Sequence, residues 1–495
     1  MNTVARVNES ARDHAKSAVR PFAGSELLAA LRRHARERPG AEAVGEIGKG
    51  SACAYGELAA MVDARAAVLR EHVRPGSVVV CVMPAGAELV AWFCSAIATG
   101  VRLLAMHPQI AGPEALGAAQ RAGAVAAVVG DEMGAAWALT GLENLRDVAL
   151  ALDPAPSHPG EAEGGIVLGS SGTTGLPKLA LRGSAALDAD GQAVVEGLRL
   201  THHDRVVFAT PLSHSYGIDV LAGVLLAGAS LRVASSFDVE LVAHELETGA
   251  TVLPSVPFVF EALARCERNR SSSLRVAVSA GSMLPDHVRA SFTRAWDVQV
   301  GQLYGATELG AVTTDTPDLP GFDPRSVGRP LKGASVRIVD VDDPDRPLDR
   351  GREGHLAVRA ASMLSQYLDG EAPVHDGHFL TGDLGRVGPD GRVYITGRLK
   401  HLIDVGAYKV NPLEVEAVLC AHPGVVECAV VAAAASETVS RLRAVVVARD
   451  AAAPTADDLR QFVRERLSPV KVPRTVEFVP SLPKTATGKV LRDRV

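Results

Sequence analysis

No stretch of the chain carries the roughly eighteen consecutive apolar residues that a bilayer-spanning helix requires, so no membrane span is expected. The first twenty residues, MNTVARVNESARDHAKSAVR, hold charges but no apolar centre; they do not read as a secretory signal, and residues 1–24 are expected to form a polar arm. Cysteine is sparse. The six present, at positions 53, 81, 94, 266, 420 and 428, fall mostly within apolar runs and form no CxxC pair, which argues against structural zinc and a disulfide framework and suits a reducing cytoplasm. Neither sign of charge is in great excess: 51 Lys and Arg against 57 Asp and Glu leave a net charge of −6, interspersed throughout, so no nucleic acid partner is expected. Internal repeats and low-complexity linkers are missing. So is a GxSxG elbow, which removes the main support for a serine hydrolase despite abundant Ser, His and Asp.

What is present is a globular composition of 495 residues, 47% of them apolar, long enough for about two to four domains. From about residue 25 to 400, short apolar runs alternate with longer helix-like segments: 77–82, then a helix over 88–98, then 101–105, with further runs at 124–129, 147–152, 205–209 and 274–278. This alternation predicts an α/β fold of mainly parallel sheets with flanking helices, and ligands at the carboxyl ends of the strands. Several runs end in loops of unusual chemistry: Leu168 into a Gly/Ser/Thr loop, Phe208 into ATPLSHSYG, Val278 into SAGS and Val300 into GQLYGATELG. Near residue 330 the pattern shifts to brief runs between Gly, Asp and Pro turns, at 336–339, 354–358 and 391–395, which predicts a β-rich antiparallel subdomain. Beyond Lys400, helices at 412–419 and 456–467 and strands at 426–431 and 443–447 predict a small α+β domain. The expected division is thus an arm over 1–24, a large domain over 25–399 and a small domain over 400–495, hinged near Lys400.

The segment LGSSGTTGLPKLA, residues 168–180, has seven Gly, Ser or Thr among thirteen residues and follows the apolar run Gly165-Ile166-Val167-Leu168. A cluster of backbone N–H groups and hydroxyls closed by Lys178 suits phosphate. It is not a P-loop, which needs GxxxxGK followed by Ser or Thr, because Gly175 is followed by Leu176-Pro177-Lys178. Nor is it a dinucleotide fingerprint, since Gly169, Gly172 and Gly175 are evenly spaced three apart. Spacing alone leaves a phosphate loop and a merely flexible Gly/Ser loop both open.

SSGTTGLPK, PLSHSYG, LYGATE, LTGD, GRLKHLIDVGAYKVNPLEVE and LPKTATGK occur in this order. The set resembles the adenylate-forming enzyme superfamily, which includes acyl- and aryl-CoA synthetases, luciferases and the adenylation domains of nonribosomal peptide synthesis. The resemblance runs from about residue 25 to the C-terminus, and it implies a large N-terminal domain followed by a small mobile one. It also implies a two-step reaction using ATP and Mg2+. A carboxylate attacks the α-phosphate of ATP to give acyl-AMP and pyrophosphate, and a thiol then displaces AMP.

By this resemblance, Ser171, Gly172, Thr173, Thr174 and Gly175 cradle the outer phosphates and Lys178 adds charge, although Leu179 stands where the family has Gly. Gly281 and Ser282 border the nucleotide. Tyr304 and Gly305 lie at the adenine, Thr307 binds the α-phosphate and Glu308 holds magnesium. Asp383 accepts from the ribose hydroxyls, and Arg398 assists at the ribose or phosphate. Lys489 bridges the attacking carboxylate and the α-phosphate. Because Lys489 lies on the small domain, that domain must close over ATP and then rotate about the Lys400 hinge for thioester formation. Gly406 would line the thiol tunnel, and Asp404 stands where Lys is common in the family.

His214 matches the family's gate between acyl site and thiol tunnel. Adenylation domains for α-amino acids carry an aspartate at the next position, where this chain has Ser215, so an ordinary α-amino acid is disfavoured. Asp219 lies four residues further on in an otherwise apolar run; in a helix it sits one turn below Ser215. A carboxylate in such a run needs a cation or a donor. It can hold a substrate ammonium, as in stand-alone enzymes for β-amino acids, cap a helix, or pair with a neighbouring side chain. Phe258, Val278, Ala280, Gly310 and Ala311 complete the expected pocket, and the small ones leave room for an extended or aromatic group. The expected acid is a β-amino or other non-α-amino acid, with an aryl or fatty acid as the alternative. With no attached carrier domain in the chain, the expected acceptor is a phosphopantetheine thiol in trans, on an acyl or peptidyl carrier protein or CoA. A non-catalytic nucleotide-binding relative is the remaining rival.

Overall fold

In the computed structural model, residues 24–108, 110, 112–130, 163–170, 178–266, 272–405, 408–434, 440–449, 453–485 and 490–495 are described. Two large sheets dominate. The nine-stranded sheet has a parallel centre, Val300–Ala306, Val276–Ser279, Val252–Ser255, Arg205–Phe208, Ser230–Val233 and Glu42–Glu46, with antiparallel strands added at both edges. In the six-stranded sheet, Gly165–Ser170, Arg102–Met106, Val78–Val82 and Ala124–Val129 run parallel. Every side chain of Val78–Val82 is buried, as expected of a strand covered on both faces. Val79 and Cys81 enter a core shared with the nine-stranded sheet, and Val80 and Val82 enter the outer layer under helix Gly112–Ala122.

The shared core also takes the apolar faces of helices Glu26–Glu37, Tyr55–His72, Ala87–Thr99, Ser184–Leu198 and Ser215–Ala227. Helix Ser215–Ala227 is almost wholly apolar and stops at Gly228, whose φ of 71° is the left-handed geometry that ends helices. The expected runs at 101–105, 124–129, 205–209 and 274–278 are all strands within one or two residues, whereas the run at 147–152 lies outside the described residues.

The Gly/Ser/Thr segment follows a strand, as its apolar lead-in implied. It joins two antiparallel neighbours, Gly165–Ser170 and Lys178–Gly183, in a register that sets Ser170 opposite Lys178. Sequence periodicity gives no pairing direction, so hairpin and crossover read alike.

Past residue 330 the chain forms the antiparallel five-stranded sheet that the turn-rich pattern implied, including Ala334–Val339, Gly354–Ala360, His378–Val387 and Val393–Arg398. Lys400 is exposed in a single 3-10 turn, Leu399–His401. Beyond it, helices Pro412–Cys420 and Ala456–Arg464 pack with a three-stranded sheet around a separate core. Asn411 caps the first of these helices by accepting from Leu413 N at 3.1 Å and donates to Thr396 O at 2.7 Å, so one side chain ties both sides of the turn. All six cysteines are free thiols, and among the described residues no helix is long and apolar enough to cross a membrane.

Candidate active site

The first corner of the site is built by strand register. Asp383 and Arg398 are directly opposite each other on the antiparallel strands His378–Val387 and Val393–Arg398, which puts both side chains on one face. Arg398 Nε donates to Asp383 Oδ1 at 2.5 Å, and Tyr304 Oη, from the nine-stranded sheet, donates to Oδ2 at 2.7 Å. Asp383 is only 3% exposed. Burial and the adjacent Asp383 charge push the Tyr304 hydroxyl well above its ordinary range, so it remains a donor. Burial opposes the charge on Arg398, but Asp383 more than offsets it. Gly382, at φ +75°, turns the chain just before Asp383, and its N–H donates to His355 Nε2 at 2.8 Å. Burial lowers the His355 pKa and keeps that nitrogen an acceptor.

A second corner lies beside it. Strands Val300–Ala306 and Gly310–Asp315 are joined by a tight turn that carries Thr307 and Glu308. Leu364 N donates to Glu308 O at 2.7 Å, and Tyr367 Oη donates to the half-buried Glu308 carboxylate at 2.7 Å. Tyr367 belongs to the six-stranded sheet, opposite Ala180, and its ring lies 4.9 Å from Lys178 Nζ. Burial and the neighbouring Glu308 push the Tyr367 hydroxyl far above its ordinary range. Thus Lys178, which follows the Gly/Ser/Thr segment, and Glu308, from the other sheet, meet at one tyrosine, the first over its ring and the second at its hydroxyl. Among the described residues no group of three or more His, Cys, Asp or Glu side chains is arranged to hold a metal alone. Glu308 fits magnesium as a single carboxylate donor, because magnesium is commonly held by one or two carboxylates together with substrate phosphates and water.

The acyl side begins at His214, the residue before helix Ser215–Ala227. Its side chain is exposed, yet desolvation by the surrounding atoms and repulsion from His107 lower its pKa, so it is neutral near pH 7. Asp219 is buried one turn below Ser215 and has a protein partner: Arg182 Nη1 donates to its Oδ1 at 2.7 Å. Arg182 Nη2 donates to Asp190 Oδ2 at 2.6 Å, and Asp190 Oδ1 accepts from Ala311 N at 2.8 Å. Of the roles open to Asp219 in the sequence, pairing with a neighbour is therefore realised. Burial, and then the charge of Asp190, raise its carboxyl well above the usual range.

Val278, Ala280 and Ala311 are buried, and Gly310 adopts φ +69° beside the Arg182 cluster. Gly305 packs so closely across its hairpin that a Cβ would lie 2.4 Å from Gly310 O. Gly281, at φ +83°, and Ser282 form an exposed turn after strand Val276–Ser279. Phe258, in the first turn of its helix, is 42% exposed and packs edge to face on Phe237, while its neighbours Val259 and Phe260 are buried. Ser171, Gly172, Thr173, Thr174, Gly175, Gly406 and Lys489 lie outside the described residues. Motif reading missed Tyr367, His355, Arg182 and Asp190. Arg182 and Asp190 did carry a signal, a charge within an apolar stretch, which is the same signal that marked Asp219.

Corners of this kind, in this chain order, define an adenylate-forming protein. Residues 31–368 match the AMP-binding enzyme family and residues 414–489 its C-terminal domain, and the chain belongs to that family. It is 32% identical over 349 residues to 4-coumarate–CoA ligase 5 of Oryza sativa, an alignment that covers 65% of this chain and 63% of the rice protein. It is likewise 32% identical over 355 residues to the sulfoacetate–CoA ligase of Cupriavidus necator, covering 69% and 68% of the two chains. The match thus spans less than two thirds of the rice protein's length. Among solved structures, ATP-bound MatB from Rhodopseudomonas palustris superposes with a TM-score of 0.84 at 26% identity over 95% of this chain and 99% of that one. The amide bond synthetase McbA from Marinactinospora thermotolerans does so with a TM-score of 0.81 at 27% identity, over 94% and 98%.

Proposed function

We propose that the protein activates a small carboxylic acid with ATP, forming acyl-AMP and pyrophosphate, and then transfers the acyl group to a phosphopantetheine thiol. The observation that carries this reading is the convergence of Tyr304, Asp383 and Arg398 with Glu308, Tyr367 and Lys178 at the meeting of three sheets. Both reactants of the first step are anions, so the site's task is to neutralise charge and hold geometry. Asp383 would accept from the ribose hydroxyls while Arg398 and Tyr304 fix its orientation. Lys178 would bring positive charge to the outer phosphates and Thr307 a hydroxyl to the α-phosphate. A magnesium ion at Glu308 would supply further charge neutralisation on the phosphate oxygens. Lys489, matched by its motif, would approach the reacting carboxylate from the small domain when that domain closes about Lys400.

The acid assigned here is a β-amino acid or another non-α-amino acid, and the acceptor is a carrier protein or CoA. Ser215, which offers no carboxylate beside the gate, disfavours an ordinary α-amino acid. One observation supports the first choice over a plain aryl or fatty acid: one turn deeper, two carboxylates share a single guanidinium. The test is exchange of labelled pyrophosphate into ATP over a panel of β-amino, aryl, fatty and α-amino acids, with the native chain and Asp219→Ala. Exchange with β-amino acids that collapses in the variant is the expected result. Strong exchange with aryl or fatty acids, unchanged by the variant, would overturn the acid assignment and keep the reaction. Silence over the whole panel would count against the reaction itself.

A further inference from the structure

The acyl side of the site holds an unbalanced buried charge. Arg182 has no exposed surface, and its two terminal nitrogens are taken by Asp219 at 2.7 Å and Asp190 at 2.6 Å. Asp190 is equally buried, and Asp219 is 3% exposed. With both carboxylates ionised, the cluster carries one negative charge in excess. The low-dielectric interior does not tolerate that charge without a proton or a cation. Both carboxylates face the one guanidinium, so a proton on Asp219, whose carboxyl burial and the Asp190 charge raise, can fill the role in the absence of substrate.

The two aspartates are not equivalent. Asp190 is fixed by Arg182 on one oxygen and by Ala311 N on the other, and a Cβ on Gly310 would lie 2.5 Å from it; it has no room for a ligand. Asp219 is fixed on Oδ1 only, and it sits in the helix that begins at the gate. If Asp190 were neutral, Arg182 would cancel Asp219 outright, and the pocket would gain nothing from a charged acid.

We propose that Asp190, acting through Arg182, sets the charge preference of the acyl pocket: by occupying half of the guanidinium it leaves Asp219 with an uncompensated charge that holds a substrate ammonium. The inference rests on the reading that the acid is a β-amino acid. Asp190 is in this account a positioning residue that never touches the acid, and the substrate ammonium takes the place of the Asp219 proton.

The experiment compares two acids: the β-amino acid with the highest exchange in the panel, and the same acid with a methyl group in place of its ammonium. For each, kcat and KM are measured with the native chain, Asp190→Asn and Asp190→Glu. Asparagine leaves an oxygen for the Ala311 N–H and removes the charge. The kcat/KM ratio of ammonium acid to methyl acid should fall roughly ten- to a hundredfold, the scale of one unit charge acting across a few ångströms of protein. The fall should appear in KM, and glutamate should restore most of the ratio. Equal losses for both acids, or an unchanged ratio, would overturn the proposal and leave the β-amino reading standing. A native chain that prefers the methyl acid would overturn both. If Asp190→Asn does not fold, Asp190→Ser, which removes the charge with a smaller side chain, is read in the same way.

Discussion

Replacing Tyr367 by phenylalanine isolates one hydroxyl at the junction of the two large sheets. The ring stays, so its contact with Lys178 Nζ at 4.9 Å is kept; the 2.7 Å bond to Glu308 is lost. A hydrogen bond to a charged acceptor is worth about 1.5–3 kcal/mol, and the half-buried position of Glu308 argues for the lower part of that range, about 2 kcal/mol. If Glu308 must be held in place when the metal-bound nucleotide reacts, kcat/KM for ATP falls roughly thirtyfold, since each 1.36 kcal/mol is about a factor of ten. The magnesium concentration giving half-maximal rate should rise with it. Tyr367→Leu also removes the cation–π contact, which at such a site adds about 0.5–1 kcal/mol, or a further two- to fivefold. Initial rates of pyrophosphate release as functions of ATP and magnesium measure both effects. A phenylalanine variant within twofold of the native chain, at unchanged melting temperature, would refute the reasoning and make the Tyr367–Glu308 bond a packing feature only.

Asp383→Asn keeps the volume between Tyr304 and Arg398 but removes the charge both of them face; KM for ATP should rise about tenfold or more by titration, in line with the loss of charge-assisted bonds. Gly310→Ala places a methyl 2.5 Å from Asp190 Oδ1 and 2.6 Å from Arg182 Nη2 at φ +69°, and should cost roughly 2–4 kcal/mol in denaturant unfolding. The Asp219 carboxyl, raised by burial and by Asp190 and faced also by Arg182 and the Tyr216 hydroxyl, should make binding of an ammonium acid pH-dependent. KM for that acid falls as pH rises through this elevated range and Asp219 loses its proton, while KM for the methyl acid stays level. The sign for stability is the reverse: a carboxyl raised in the folded state stabilises most below its unfolded pKa, so the ligand-free melting temperature should drop across the same range.

The sheets were legible because strands buried on both faces appear as continuous apolar runs, and Val78–Val82 and Val276–Ser279 stand out as such. The shared facing of Ser215 and Asp219 followed from their four-residue spacing on the condition of a helix, and the chain does form helix Ser215–Ala227 there. Long-range partnerships did not. Tyr367 meets Glu308 across 59 residues, and Arg182 meets Asp219 across 37, separations that no local pattern encodes. For Asp219 the physical demand was read correctly as the need for a cation or donor, yet Arg182 supplies the first answer from within the chain. The charged residue closing Leu179-Ala180-Leu181 could have been read by the same logic.

The turn at 304–308 is also where assembly of the molecule is recorded. The Glu308–Tyr367 bond joins the nine-stranded sheet to the six-stranded one, and the Tyr304–Asp383 bond, spanning 79 residues, joins it to the five-stranded sheet. A chain folded only through residue 368, the end of the family match, has Tyr367 in place and no Asp383. The Tyr304–Asp383 contact closes a longer loop than the Glu308–Tyr367 contact and depends on a third sheet being in place. Under the proposed function, a nucleotide that engages both corners would bind finished molecules in preference to partly docked ones, and would act as a rivet that selectively stabilises the completed fold.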